Sequence, residues 1–446
     1  MTPRANPLVL TLVLLASAPL QAQSARPERP YRGLFGGGVG NAEQVLTVST
    51  SLGAGYSTDI IAEALGREFG SRGWGIENGR GFGQFSGGIN YALSRDRVQA
   101  GISFGSAGRY FPEGSRRFVV SHSGGAGLSV QLARSTRLSA RQTVGYQPYN
   151  ALALFPELFD AQVGDAAALD QDLDTGGAAY LTYGTSVDLG QQLSRRASLS
   201  FGYSTRLSDF PDRPEYRTQG GRGSFRLNLA RGLDLRLGYG YREGGEIGVA
   251  SKVRSHDIIA GIDFSRAWSV SLSRRTTFSM STGSSMTVDD SPQTGDRQTR
   301  FRLTGNARLN HEMGRTWDAS MAYGRNMRFS EALREPVFSD SASASVGGMI
   351  NRRLQFRSTA SASFGSVGFG GRRDDFVSYR GTASLTTGLT RYAGLGVTYS
   401  YYRSSLDDRV TAPSDLPRDI ARQSVRAYVT LWAPLVYRAG RQNGTR

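Results

Sequence analysis

The sequence predicts an all-β protein: a single transmembrane, antiparallel, up-and-down β-barrel of about 18 strands, with 16 as the alternative number. Three observations predict it. Apolar and polar residues alternate with a period of two along most of the chain. Short turns alternate with longer polar connections, which predicts short periplasmic turns and longer extracellular loops. The third observation is the composition, which is 39% hydrophobic with a mean hydropathy of -0.35, too polar for a bundle of membrane helices.

The alternation is clearest in two segments. Residues 233–242 carry Leu or Tyr at every odd position and Asp, Arg or Gly at every even one. Residues 301–309 repeat the pattern, with Arg, Thr and Asn at the even positions. Because successive side chains of a strand point to opposite faces, each such strand has one apolar and one polar face. In a membrane barrel the apolar face contacts lipid and the polar face lines the lumen.

The N-terminal segment predicts export. Residues 1–22 read as a signal peptide, with Arg4 before an apolar stretch at 7–20 and a cleavage site after Ala22. Residues 23–43 are rich in Arg, Pro and Gly and are expected to form a periplasmic tail. The barrel is expected at 44–432 and a C-terminal tail at 433–446. The expected location is the outer membrane, reached by export and cleavage of the signal peptide.

The pattern over 44–432 resembles the Gram-negative outer-membrane β-barrels of the porin type. It includes an aromatic strand near the C-terminus, with Tyr428 and Trp432. The resemblance implies outer-membrane lipid and lipopolysaccharide as surroundings and the barrel-insertion machinery as a partner. In architecture the chain is also similar to barrels that export exopolysaccharide, which implies periplasmic polysaccharide-export proteins as further partners. No nucleic-acid partner is expected, because the protein is exported and its arginines are spread along the chain.

Arginine dominates the charge. The net charge is +16 and Lys252 is the only lysine. A genome that favours arginine codons would explain this, and so would a lumen that attracts anions. Strand phase predicts lumen-lining arginines and, on the same face, a smaller number of aspartates. They are Arg141, Arg206, Arg226, Arg236, Arg300, Arg302, Arg308, Arg357, Arg380, Arg426, Asp188, Asp234 and Asp318.

Two connections are long enough to narrow a pore. Residues 58–81 carry a weak helix signal, and residues 150–176 combine an apolar stretch with several aspartates. Folding into the lumen and packing over the rim are both compatible with these compositions.

The residues do not indicate an enzyme. The chain has three histidines, His122, His256 and His311, and strand phase places none of them in a lumen pocket beside a serine. There is no cysteine and no HExxH sequence, so no catalytic site, metal or cofactor is expected. The expected function is a channel that passes anionic solutes or an acidic exopolysaccharide. The alternative is a structural or adhesive barrel with an occluded lumen, and an outer-membrane hydrolase is a third, less favoured hypothesis.

Overall fold

The computed structural model describes the strands and most of the short turns. The described residues are 42–58, 80–112, 118–150, 174–211, 213–230, 232–249, 252–268, 276–289, 298–314, 316–330, 333, 335–369, 375–410 and 418–439. The predicted signal peptide at 1–22 and nearly all of the two long connections lie outside them. None of the described residues forms a helix long and apolar enough to cross a membrane.

Eighteen β-strands make up the described chain. The first nine are β1 (Ala42–Thr58), β2 (Arg80–Ser94), β3 (Val98–Tyr110), β4 (Phe118–Ala133), β5 (Thr136–Asn150), β6 (Asp174–Gln192), β7 (Ala197–Phe210), β8 (Arg213–Ala230) and β9 (Leu233–Glu246). The last nine are β10 (Val253–Trp268), β11 (Thr276–Asp289), β12 (Gln298–Met313), β13 (Trp317–Ser330), β14 (Glu335–Met349), β15 (Leu354–Val367), β16 (Phe376–Gly388), β17 (Ala393–Leu406) and β18 (Asp419–Ala439).

The strands form one closed antiparallel ring. Each strand pairs with its neighbours in the chain, and β1 pairs with β18 from Ala42↔Ala439 to Thr58↔Gln423. The predicted all-β, up-and-down barrel is therefore confirmed, with 18 strands and not 16. An even number of strands places the start of β1 and the end of β18 at one rim, which we call the terminal rim, and the other rim is called the loop rim.

The burial pattern is that of a soluble protein turned inside out. Along β17, Gly394, Thr398 and Ser400 are buried, whereas Leu395 and Tyr399 between them are exposed. We call the side with the exposed apolar residues the outer face and the opposite side the inner face. The outer face carries large apolar side chains on strands all round the ring, with Leu52 70% exposed and Leu303 65% exposed.

Three boundaries differ from the expectation. The sequence pattern predicts a tight turn at Arg266 and Ala267, and this prediction is wrong, because both residues lie inside β10. The last strand does not end at 432: residues 433–439 continue it, since they still find backbone partners along the start of β1. The connection between β7 and β8 spans only 211–212, so the loop rim is not uniformly built of long loops.

Candidate functional site

The inner face carries all thirteen residues predicted from strand phase. Strand pairing puts each on the side opposite the exposed apolar residues: Arg300 and Arg302, for example, flank Phe301, which is 62% exposed. The same parity also holds inner-face residues that the prediction missed. They are Arg109, Arg137, Arg222, Arg242, Arg328, Arg422 and Asp257. Applying the phase to every strand, and not only to the clearest runs, would have found them.

One wall of the inner face is a ladder of ion pairs. On β6 to β10, Arg222 donates to Asp188 across 3.0 Å. Arg236 lies 3.1 Å and Arg226 lies 3.6 Å from the carboxylate of Asp263. The Arg222–Asp188 and Arg226–Asp263 pairs join strands that are not direct neighbours, so they brace the wall across its curvature. On this wall, carboxylates offset the charge of the arginines.

Asp257 is the best-connected carboxylate of this ladder. It accepts two hydrogen bonds from Arg242, at 2.7 Å from Nη2 and 3.0 Å from Nε. Its other oxygen accepts from Ser285 at 2.5 Å and from Ser255 at 3.2 Å. The two serines are buried, so their hydroxyls depend on Asp257 for part of their hydrogen bonding. Asp257 thereby links β9, β10 and β11.

We expect the Asp257→Ala variant to lose about 1.5–3 kcal/mol of unfolding free energy, because a carboxylate that accepts charged and neutral hydrogen bonds is removed. The matched control is Asp188→Ala, whose pair with Arg222 is much more exposed, at 71% for the arginine side chain. The control should lose less than about 1 kcal/mol. Urea unfolding of the refolded barrels measures the unfolding free energy of both variants. Equal losses would contradict the prediction that Asp257 contributes more to stability than Asp188.

Several inner-face arginines reach water. Arg206, Arg222, Arg226, Arg308 and Arg357 are all exposed although they lie on the concave side of the ring. Side chains that fill a barrel would not leave guanidinium groups accessible in this way. The lumen at the level of these residues is therefore wide enough to hold water, as expected for a barrel of this strand number.

The opposite wall has a different charge balance. On the inner faces of β12 to β18, the described strands carry Arg300, Arg302, Arg308, Arg328, Arg357, Arg380, Arg422 and Arg426. The acidic residues of the same faces are Glu312, Asp318 and Glu335. Positive charge is thus in excess on this side of the lumen, whereas it is offset on β6 to β10. The interior has one neutral wall and one basic wall.

An apolar cluster crosses the barrel at the loop rim. Its buried residues, which we call the mouth cluster, are Tyr180, Phe210, Tyr216, Leu333, Val337, Val367, Phe376, Leu406 and Val410. The first three come from β6 to β8 and the others from β14 to β17 and adjoining connections. β7 and β16 are nine places apart in a ring of 18. At about 4.8 Å between strands such a ring is roughly 27 Å wide before tilt, too wide for side chains to bridge unless strand ends turn inward.

Arg300 and Arg302 belong to this mouth and not to the water-filled level. Their guanidinium groups lie over the ring of Phe338, at 4.8 Å and 4.6 Å from its centroid. Arg302 Nη2 donates to Ser366 Oγ at 2.9 Å, and Arg300 Nη1 donates to the carbonyl of Gly368 at 2.8 Å. Both arginines therefore hold segments of β14 and β15 in place.

The histidines lie on the outer face. His256 shares a 2.7 Å hydrogen bond with the Tyr239 hydroxyl, on the side of the strand opposite Ser255 and Asp257. His122 stacks on Tyr146. Thr276 Oγ1 and His311 Nδ1 are 2.7 Å apart. The geometry brings no histidine to the buried serines around Asp257, and the described residues contain no cluster of metal-binding side chains.

The architecture confirms the predicted resemblance to porin-type barrels at the level of the fold. No protein-family model matches the chain, and no curated protein matches it. Among solved structures, it is similar to OccK2 (OpdF) of Pseudomonas aeruginosa in complex with glucuronate, with a TM-score of 0.46, 10% identity and coverage of 88% of this chain and 99% of that one. It is also similar to Acinetobacter baumannii OccAB4 (TM-score 0.43, 10% identity, 89% and 100% covered) and to Pseudomonas aeruginosa OprD (0.42, 9%, 88% and 96%). At these TM-scores the likeness carries no argument about function.

Proposed function

We propose that the protein is an outer-membrane channel whose arginine-rich lumen passes anionic solutes or an acidic exopolysaccharide. The observation that carries the proposal is the basic wall of β12 to β18, where the inner faces of the described strands carry more arginines than carboxylates and Arg308 and Arg357 are exposed to the lumen. Fixed positive charge on a low-dielectric wall raises the local concentration of anions and lowers that of cations.

The outer face supports a membrane location. Its exposed residues include Ile102, Phe104, Phe201, Leu237, Ile262, Leu385 and Val429, which come from strands distributed round the ring. An apolar surface that surrounds a whole barrel is costly in water and favourable in lipid. The predicted N-terminal export signal agrees with this location, and the periplasmic partners expected from the sequence belong to the same proposal.

The test is ion selectivity of the refolded protein in a planar bilayer under a salt gradient. We expect the double variant Arg308→Glu and Arg357→Glu to shift the reversal potential toward cation preference, because both residues are exposed on the basic wall. The matched control is Arg353→Glu with Arg391→Glu, which changes the net charge equally at exposed turns of the terminal rim. A shift of the same size in both variants would contradict selection by the lumen wall.

A structural or adhesive barrel is the second candidate, and the mouth cluster is the observation that favours it. Its apolar side chains come from opposite walls at the loop rim, and such a cluster would obstruct passage there. Absence of conductance under every condition would support this candidate. Conductance that appears when the mouth is altered would support a channel that is closed in the observed conformation.

A further inference from the structure

The barrel wall has an open seam between β12 and β13. Their pairing runs from Met313↔Trp317 to Gly305↔Arg325 and stops there. Both strands continue toward the loop rim, β12 up to Gln298 and β13 up to Ser330. Beyond the seam, the described residues of β12 pair only with β11, and those of β13 pair only with β14.

Beyond the seam the strand ends of β13 to β15 lie inside the barrel. We call residues 326–330, 335–339 and 363–369 the inner flap. Met327, Phe338 and Ser366 are direct cross-strand partners in the flap and share their side of the sheet with Tyr323, which is exposed on the outer face. Yet all three are buried.

The neighbours of these buried residues show where the flap lies. Phe338 and Ser366 contact Arg300 and Arg302, which project from the inner face of β12. A β-carbon placed on Gly244, on the inner face of β9, would lie 3.3 Å from the ring of Phe329 in the flap. The outer side of the flap therefore packs against the inner side of the wall formed by β9 to β12. Its other side supplies Val337 and Val367 to the mouth cluster.

The flap nevertheless has the sequence of a lipid-facing wall. If the observed register of β12 and β13 continued past Gly305↔Arg325, Leu303 would pair with Met327, and Phe301 with Phe329. Both pairs would be apolar and outward-facing, and Leu303 and Phe301 are already exposed there. Arg302 would meet Arg328 on the inner face, and such like-charge pairs disfavour pairing. The sequence is thus compatible with two positions of the same segment.

We propose that the inner flap is a gate. In the observed closed position it lies across the lumen, held by Arg300 and Arg302 and by the mouth cluster. In the open position the flap swings into the wall, pairs β13 with β12 as far as the loop rim and clears the mouth. This proposal holds whichever solute passes through the channel.

Disulfide trapping tests the gate, since the chain contains no cysteine of its own. The pair Leu303→Cys with Met327→Cys can form a disulfide only when β12 and β13 pair beyond the seam. The pair Gly244→Cys with Phe329→Cys can bond only in the closed position. The control pair Ala307→Cys with Tyr323→Cys joins residues that are already cross-strand partners. Each variant is oxidised in native membranes, and the bond is detected by gel mobility before and after reduction.

We expect bonds in all three variants: the control pair, the closed pair and a fraction of the 303–327 pair. The gate would be disproved if the control bonded fully and the 303–327 pair never did, which would make the flap a permanent plug. Because bonding is read without conductance, this result is separate from failure of the channel proposal. In a bilayer, the oxidised 303–327 protein should conduct and the oxidised 244–329 protein should not, with reduction reversing both.

Discussion

The Tyr203→Arg variant is expected to lose about 2–4 kcal/mol of unfolding free energy in lipid vesicles, the cost of an arginine near the middle of the bilayer on the lipid face of a barrel. Tyr203 lies midway along β7 on the outer face and is 47% exposed. In water the same substitution on an exposed strand position would change stability little. The large loss therefore depends on a lipid surrounding.

The matched control is Ser204→Arg, at the next residue of the same strand. Ser204 is also exposed but lies on the inner face, among other polar residues. The Ser204→Arg variant should lose little unfolding free energy, since the new arginine enters a lumen wide enough to hold water. Denaturant unfolding in vesicles gives both values. Equal losses at the two positions would mean that the faces have been assigned wrongly or that the outer face of β7 is not in lipid.

Tyr203 and Ser204 lie on opposite faces, as the alternation of the sequence implies, and the same alternation makes most of the fold predictable. A period of two fixes which residues share a face, and apolar residues mark the lipid side, so the ring of strands follows from local pattern alone. The same parity placed Arg226 and Arg236 together on one face, and they share Asp263 there.

The alternation of apolar and polar residues does not determine where along its length a strand leaves the barrel wall. Met327 and Phe338 have the phase of lipid-facing residues, and the pattern predicts them on the outer surface. The structure buries them because long-range contacts with Arg300 and Arg302 and the apolar mouth cluster compete with continued pairing to β12. Such contacts join segments far apart in the sequence, so a local pattern cannot reveal them. For the same reason, phase alone could not separate the arginines of the mouth from those at the water-filled level.

A substitution at Val337, in the mouth cluster, is expected to have a second large effect, on the equilibrium between the closed and open positions. This side chain is 1% exposed and belongs to the mouth cluster, which includes residues of both opposite walls. In the Val337→Asp variant, closure would bury a carboxylate whose cross-strand partner, Arg328, is itself exposed. Such a pair offsets little of the desolvation penalty, so the net cost is about 3 kcal/mol. Because the penalty falls on the closed position, we expect the closed-to-open equilibrium to move by roughly a hundredfold, since each 1.4 kcal/mol is a factor of ten. Single-channel recording should show a barrel that is open for most of the time.

Two controls separate gating from damage. Val337→Ala removes volume without adding charge, so it should leave the mouth closed while lowering stability modestly. Ser343→Asp adds the same charge on the same face of β14 at an exposed site nearer the terminal rim, and it should leave the open fraction unchanged. The mobility of unheated samples on a gel shows whether each barrel is folded. If a folded Val337→Asp barrel remained closed, the mouth cluster would not be what holds the inner flap across the lumen, and the interactions of Arg300 and Arg302 would have to hold it alone.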